Sequence, residues 1–275
     1  MEAWASHPDG QGAIVVLVSQ RNLGNARDLA ALTDALEGLG VTWEHVDLVP
    51  FSDDVPDVTT EGRALFYGST TLIKNVSRDG RWRPGVYFNE ARFEFEALLA
   101  GYGDALLNGD SEVLTVGELV ARDHADDALF FVRPAADLKE FTGEVMAFAD
   151  VRRWRDGLAG TTGPLSLDTR VQVAAPKRVL REWRAMLVGG RVVGASRYRT
   201  GLRLDPSTDV PSEVIAFAEA MAARYAPEPV FTLDVGELDE GLRVVETNCF
   251  HSSGFYRCDV RAVVRAVTAW VARNG

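Results

Sequence analysis

Apolar residues come first as a solid block at Ala13–Ser19, then at helical spacing (Leu29, Leu32, Leu36, Leu39), then as a short block at Val41–Val46. An unbroken apolar run of that length predicts a strand covered on both faces, as in a parallel sheet. The spacing predicts a helix over 25–39, with Gly40 as its C-cap. Strand, helix and strand in that order predict a βαβ start and an α/β first domain. Met1–Gly12 reads as a loose tail. Arg63–Ile73 and Pro84–Asn108 continue the first domain, and the polar stretch Asp123–Asp127 marks its expected end.

Beyond that point strands outnumber helices, and the pattern turns α+β. Strands are expected at Leu129–Val132, Val171–Ala174, Glu182–Val188 and Arg191–Arg197, the last two joined through a tight Gly189-Gly190 turn. A helix is expected over Ser212–Tyr225, with Pro211 near its first turn and Val214, Phe217, Ala218 and Met221 on one face. Two β-branched runs, Val230–Val235 and Leu242–Thr247, then flank the turn-like Asp239-Glu240-Gly241, and a last amphipathic helix covers Asp259–Arg273.

That hairpin carries the most informative chemistry. Centred on Glu240, it would set Asp234 opposite Glu246 with β-carbons about 4.5–5.5 Å apart. Asn248 would project from the same face as Glu246. Facing like charges weaken a hairpin unless something neutralises them, and a hard divalent cation such as Mg²⁺ takes carboxylate and amide oxygens. An exposed acidic ladder on an acidic protein accounts for the same pair.

Composition narrows the partners. The chain has 275 residues, 47% hydrophobic and 25% charged, enough for one large or two smaller domains. Its net charge of −11 argues against a broad phosphate-backbone surface, so nucleic acid is not an expected partner. No apolar run reaches the ~20 residues that span a bilayer and no leader pattern is visible, so no membrane is expected and a cytoplasmic location is the default. A homo-oligomer is compatible with the sequence. Cys249 and Cys258 are too few for a disulfide framework and are not spaced as CxxC, and with His251 they fall short of four zinc ligands.

Only three lysines occur, Lys74, Lys139 and Lys177. Arg133 ends an expected strand, with Lys139 and Gly143 in the following loop. That arrangement suits polyphosphate, although no GxxxxGK[ST] loop is present and a surface Arg and Lys would look the same. Glu182 and Arg184 share one strand face. They suit ribose hydroxyls and a phosphate or substrate, or equally a cross-strand ion pair. Arg197 and Arg199 alternate likewise, as an anion site or a solvated edge would require. Ser252-Ser253-Gly254 is a small polar loop whose backbone can approach an anion, and nearby His251 is a candidate proton carrier.

In order, these pieces resemble the catalytic region of ATP-grasp enzymes. The segments FVRP…LKEFTG, EWRAMLVGGRVVGASRY and VVETNCFHSSGFY are most similar to the clade named for one arginine and two lysines. The upstream YGST, PGVYFNEARFEFEALL and LLN segments share that resemblance. It implies an α/β pre-ATP-grasp domain over 1–125 and an ATP-grasp domain over 126–275, with a lid-like lobe over 126–178 and a metal and phosphate lobe over 179–275. ATP would be clamped between two lobes. Arg133, Lys139 and Lys177 would meet its phosphates, the backbone of Val173, Ala174 and Ala175 its adenine, and Glu182 its ribose. Asp234, Glu246 and Asn248 would hold Mg²⁺, or Mn²⁺ in its place. Arg184 and Arg197 would stabilise the transferred phosphoryl group and an acyl phosphate, with Ser252, Ser253 and Gly254 toward the substrate. The implied activity is an ATP-dependent carboxylate–amine ligase acting on a small-molecule acid and an amine. A peptide- or nucleic-acid-modifying factor, or a nucleotide-binding module without turnover, are the alternatives. The chain departs from the family in placing Arg133 where ligases usually carry lysine.

Overall fold

The computed structural model describes residues 15–21, 26–47, 54–60, 62–135, 143–158 and 166–274. Packing divides the chain into two units. One comprises residues 1–89, 182–235 and 246–275, and the other comprises residues 90–181 and 236–245.

The first unit opens as its apolar pattern requires. Strand β1 (Val15–Gln20) lies between β2 (Thr42–Val46) and β3 (Arg63–Tyr67), parallel to both, with Leu17 level with Trp43 on one side and Leu65 on the other. Helix α1 (Ala26–Leu39) makes the crossover from β1 to β2, and Gly40 follows it in the left-handed region at φ 65°. Helix α2 (Thr70–Asp79) starts on a Ser69 cap, ends on Gly80 at φ 69°, and leads to the two-residue edge strand β4 (Pro84–Gly85).

The second unit contains α3 (Glu90–Phe93), α4 (Phe95–Tyr102), β5 (Glu112–Thr115), α5 (Val116–Val120), β6 (Leu129–Pro134), β7 (Glu144–Ala147), α6 (Phe148–Leu158) and β8 (Arg170–Ala174). Its antiparallel sheet runs β5-β8-β6-β7, over a core of Leu114, Leu119, Val132, Phe148, Val151 and Val171. These packing units differ from a division near Asp123–Asp127. The reason is hydrogen bonding: β5, which precedes that stretch, pairs with β8, which follows it.

The chain then returns to the first unit through β9 (Arg181–Val188), β10 (Arg191–Thr200), β11 (Arg203–Ser207), α7 (Ser212–Arg224), β12 (Val230–Leu238), β13 (Gly241–Cys249) and α8 (Val260–Asn274). These five strands form one sheet in the order β11-β10-β9-β12-β13, with the turn-proximal parts of β12 and β13 (236–245) grouping with the second unit. Gly189 and Gly190 turn at φ 56° and 80°, and a β-carbon on Gly189 would come within 2.4 Å of the Trp270 ring, so this turn demands glycine sterically as well as conformationally. Only Asp239 and Glu240 form the turn between β12 and β13, so Gly241 begins a strand and both strands are longer than the sequence pattern indicates.

Helix α8 packs on α1, and their apolar faces share one core with the sheets: Leu17, Leu32, Leu36, Met186, Val230, Phe255, Val263 and Val267 are all buried. Both cysteines are reduced and buried. Among the described residues no helix is long and apolar enough to cross a membrane.

Candidate functional site

Alternation along β9 sets up the site. Trp183 turns into the core, where its indole N–H donates to the Asp209 carbonyl at 2.9 Å. Glu182 and Arg184 take the opposite face. They do not bond each other. The Glu182 carboxylate accepts from the Tyr198 hydroxyl at 2.5 Å and from Arg199 Nη1 at 3.4 Å. Arg184 instead reaches across to β12, donating from Nε to Asp234 Oδ1 at 2.8 Å and from Nη2 to Oδ2 at 2.7 Å. This two-pronged pair matches the flat fork of a guanidinium to the two oxygens of a carboxylate.

Asp234 is fully buried, which rules out the exposed acidic ladder. Burial raises its pKa most. Arg184 pulls it back, and repulsion from Glu246 adds to the rise, leaving it at about 6 and ionised at neutral pH. Burial disfavours the charge on Arg184, but Asp234 outweighs that and holds the guanidinium above its ordinary value. Asn248 Nδ2 donates to Glu246 Oε1 at 2.9 Å, so the amide turns its nitrogen to the acid.

The donor set at Asp234, Glu246 and Asn248 is two carboxylates and one amide. Among the described residues no three His, Cys, Asp or Glu side chains are grouped to hold a metal. Two acids plus an amide nevertheless fit Mg²⁺, which keeps several waters and shares phosphate oxygens instead of demanding an all-protein cage. A carboxylate has about four acceptor positions, so Asp234 retains lone pairs beyond the two that Arg184 takes.

Arg197 stands apart from Arg184. It is bonded to Asp205 at 3.0 Å and Asp209 at 2.9 Å, and its Nε is buried without a partner among the described residues. The register of β10 against β11 shifts between Arg197 and Arg199, and the two arginines are bonded to different carboxylates, Arg197 to Asp205 and Asp209 and Arg199 to Glu182.

The segment after β13 is held more tightly than a free polar loop. Phe250–Ser252 forms a 3-10 turn. Ser253 Oγ donates to the Cys249 carbonyl at 2.8 Å and lies 3.0 Å from Thr232 Oγ1, while Tyr67 OH donates to the Ser253 carbonyl at 2.7 Å. A β-carbon at Gly254 would sit 3.0 Å from an Asp28 oxygen. His251 is buried: Nδ1 donates to the Phe66 carbonyl at 2.5 Å and Nε2 accepts the Tyr87 N–H at 2.9 Å. Both ring nitrogens are engaged, which corrects the proton-carrier expectation; burial pushes its pKa down to about 4.

In the second unit Arg133 sits on β6, level with Gln172 of β8. Gly143 lets the chain pass close by, since a β-carbon there would come within 2.8 Å of the Phe131 ring and 3.0 Å of Arg133 Cβ. Lys139 lies outside the described residues. Lys177 pairs with Asp110 at 2.5 Å. Val173 is laddered to both β5 and β6, and Ala174 to β6, whereas Ala175 is the first exposed residue past the strand end. The ladder therefore takes in Val173 and Ala174 and stops before Ala175.

Tyr198 and Tyr256 were not evident from sequence. Their rings stack at 4.9 Å and 12°, with the Arg184 guanidinium 5.7 Å from one centroid and 5.3 Å from the other. The only signal was aromatic residues at the ends of SRY and GFY, too common to read alone.

Three solved structures of similar fold are distant in sequence. D-cycloserine synthetase DcsG is 14% identical, with a TM-score of 0.60 over 94% of this chain and 99% of that one. The ATP-grasp ligase PsnB, in complex with precursor peptide PsnA2 and AMPPNP, is 16% identical, with a TM-score of 0.59 over 97% and 100%. A RimK domain ATP-grasp protein from Sphaerobacter thermophilus DSM 20745 is also 16% identical, with a TM-score of 0.60 over 94% and 99%. No curated protein sequence matches. The model of an ATP-grasp domain family, the third family of the clade named for one arginine and two lysines, matches residues 66–267. The match takes in β9 with Arg184, β12 with Asp234 and β13 with Glu246 and Asn248, and on its extent the chain belongs to this ATP-grasp family.

Proposed function

We propose that this protein is an ATP- and Mg²⁺-dependent ligase that joins a carboxylic acid to an amine. The observation that carries the reading is the buried Arg184–Asp234 pair beside Glu246 and Asn248, in a chain of ATP-grasp membership. A substrate carboxylate oxygen attacks the γ-phosphorus of ATP, the bond to the β-bridging oxygen breaks, and ADP leaves. The amine then attacks the acyl carbon and expels phosphate, losing a proton as the amide forms. Asp234, Glu246 and Asn248 are the residues to hold Mg²⁺, whose chemistry is to neutralise phosphate charge. Arg184 supplies a cation fixed before the reaction, the condition under which electrostatic stabilisation is strongest. Arg133, Lys139 and Lys177 meet phosphates, the backbone at Ala175 meets adenine, and Glu182 meets ribose. Arg197 supports the acyl-phosphate side only if it leaves Asp205 or Asp209. Ser252 and Gly254 face the substrate, with Ser253 holding their loop in shape.

The acid or the amine can belong to a peptide. The fold likeness to PsnB, solved with a precursor peptide, favours testing that reading, whereas the charge of −11 does not favour nucleic acid. ADP and phosphate release with Mg²⁺-ATP, screened over paired amino acids, dipeptides and acidic peptides, tests the proposal. Turnover is expected with at least one pair and is expected to fall about 100-fold or more in Glu246→Gln, as for loss of one strong electrostatic contact. Full activity in that variant, with its melting temperature unchanged, would remove the metal role.

A further inference from the structure

Tyr256 is the only described non-glycine residue with positive φ, at 52°. That region is sparsely used by bulky L-residues and persists only where the surroundings impose it. Here they do. Tyr67 OH holds the Ser253 carbonyl, Asp28 Oδ2 accepts the Phe255 N–H at 3.0 Å, and Ser196 Oγ accepts the Arg257 N–H at 3.2 Å. Phe255, next to it, is buried and stacks on Tyr67 at 5.5 Å and 12°. These contacts pin the backbone on both sides of Tyr256 while its own side chain stays half-buried.

What the unusual backbone angle achieves is the placement of one ring. The Tyr256 ring lies against Tyr198 and 5.3 Å from the Arg184 guanidinium carbon, and its hydroxyl has no hydrogen-bond partner among the described residues. Asp234 grips Arg184 along one edge, through Nε and Nη2. An edge contact alone lets a guanidinium hinge about its hydrogen bonds. Rings beside the group remove that freedom and add cation–π attraction. Nη1 is then the nitrogen of Arg184 without a partner among the described residues.

We infer that Tyr256 is a positioning residue, whose ring, turned inward by a strained backbone, fixes the Arg184 guanidinium so that Nη1 points to where charge develops. This rests on the role proposed above for Arg184. Because it acts through orientation, Tyr256 affects turnover and leaves ATP affinity nearly alone.

Three variants separate the ring, the hydroxyl and the backbone: Tyr256→Phe, Tyr256→Ala and Tyr256→Gly. For each, kcat, KM for ATP, melting temperature and the solvent-exchange rate of the Arg184 Nε–H by ¹⁵N NMR are measured, that signal being identified by its loss in Arg184→Lys. Phe is expected to keep kcat within twofold. Ala and Gly are expected to lower kcat about tenfold with KM within twofold, and to speed Nε–H exchange at least tenfold. Gly is expected to melt above Ala, because glycine adopts φ 52° readily. A Gly variant with wild-type kcat and exchange would overturn the inference, as would a Phe variant as impaired as Ala. Parallel loss of activity and melting temperature, with exchange unchanged, would make the role merely structural and overturn it too. If the wild type forms no ADP with any substrate, the ligase reading fails, and Nε–H exchange alone then decides whether Tyr256 holds Arg184.

Discussion

Arg184 and Asp234 show why a residue-level reading needs burial as well as identity. An aspartate with no exposed surface is tolerable as an anion because a guanidinium covers both its oxygens. Arg184→Ala leaves that charge uncompensated and is expected to destabilise the protein by about 3–5 kcal/mol. Arg184→Met combined with Asp234→Asn is expected to recover much of that loss, because no buried ion is then stranded; urea unfolding of the single and double variants measures the difference. Equal instability in both would mean that packing, not charge, dominates. The sequence offered each of these residues as a candidate but not their pairing. Glu182 and Arg184 share a strand face, which leaves a cross-strand ion pair open as one reading; Arg184 forms such a pair with Asp234 on β12, and Glu182 is bonded to Tyr198 on β10.

At the level of elements, periodicity was a good guide wherever one face of a helix or strand is buried. The run Ala13–Ser19, the Leu29–Leu39 spacing, the Gly189-Gly190 turn and the C-terminal helix all appear within two residues of their expected limits. Local irregularity was not legible. The shift in register between Arg197 and Arg199 arises from pairing with β11, and the 3-10 turn at Phe250–Ser252 is fixed by long-range bonds from His251 to Phe66 and Tyr87. That turn predicts a pH effect. His251 is neutral in the fold, with a pKa near 4 against an ordinary 6.5, so the unfolded chain binds more protons between those values. Stability from this group is fully present above about pH 6.5 and is lost as pH falls toward 4, amounting to roughly 3 kcal/mol. The buried Asp234, with its raised pKa, acts with opposite sign over part of that range. The test is therefore a difference: wild-type minus His251→Gln stability is expected to shrink as pH drops from 6.5 to 4. A flat difference would mean that the imidazole accepts its proton without opening the turn.

For the molecule as a whole, composition and order gave the α/β-to-α+β character, and the motif order gave the ATP-grasp family. Packing units were harder to see, because a polar stretch such as Asp123–Asp127 looks like a linker even when the strands on either side of it are hydrogen-bonded. The pairing of β5 with β8 has a direct consequence for dissection. A fragment of residues 126–275 lacks β5 and exposes the β8 edge, and it is expected to be insoluble or to lack dispersed amide resonances, while the full chain folds. A well-folded fragment, judged by NMR or circular dichroism, would show that β5 is dispensable. The two thiols offer a way to watch such opening in the intact protein. Cys249 and Cys258 are covered, and burial pushes Cys258 up to about 12, so neither is a ready nucleophile at neutral pH. Alkylating reagents then act as a clock: each modified cysteine records a moment when the core had come apart around it.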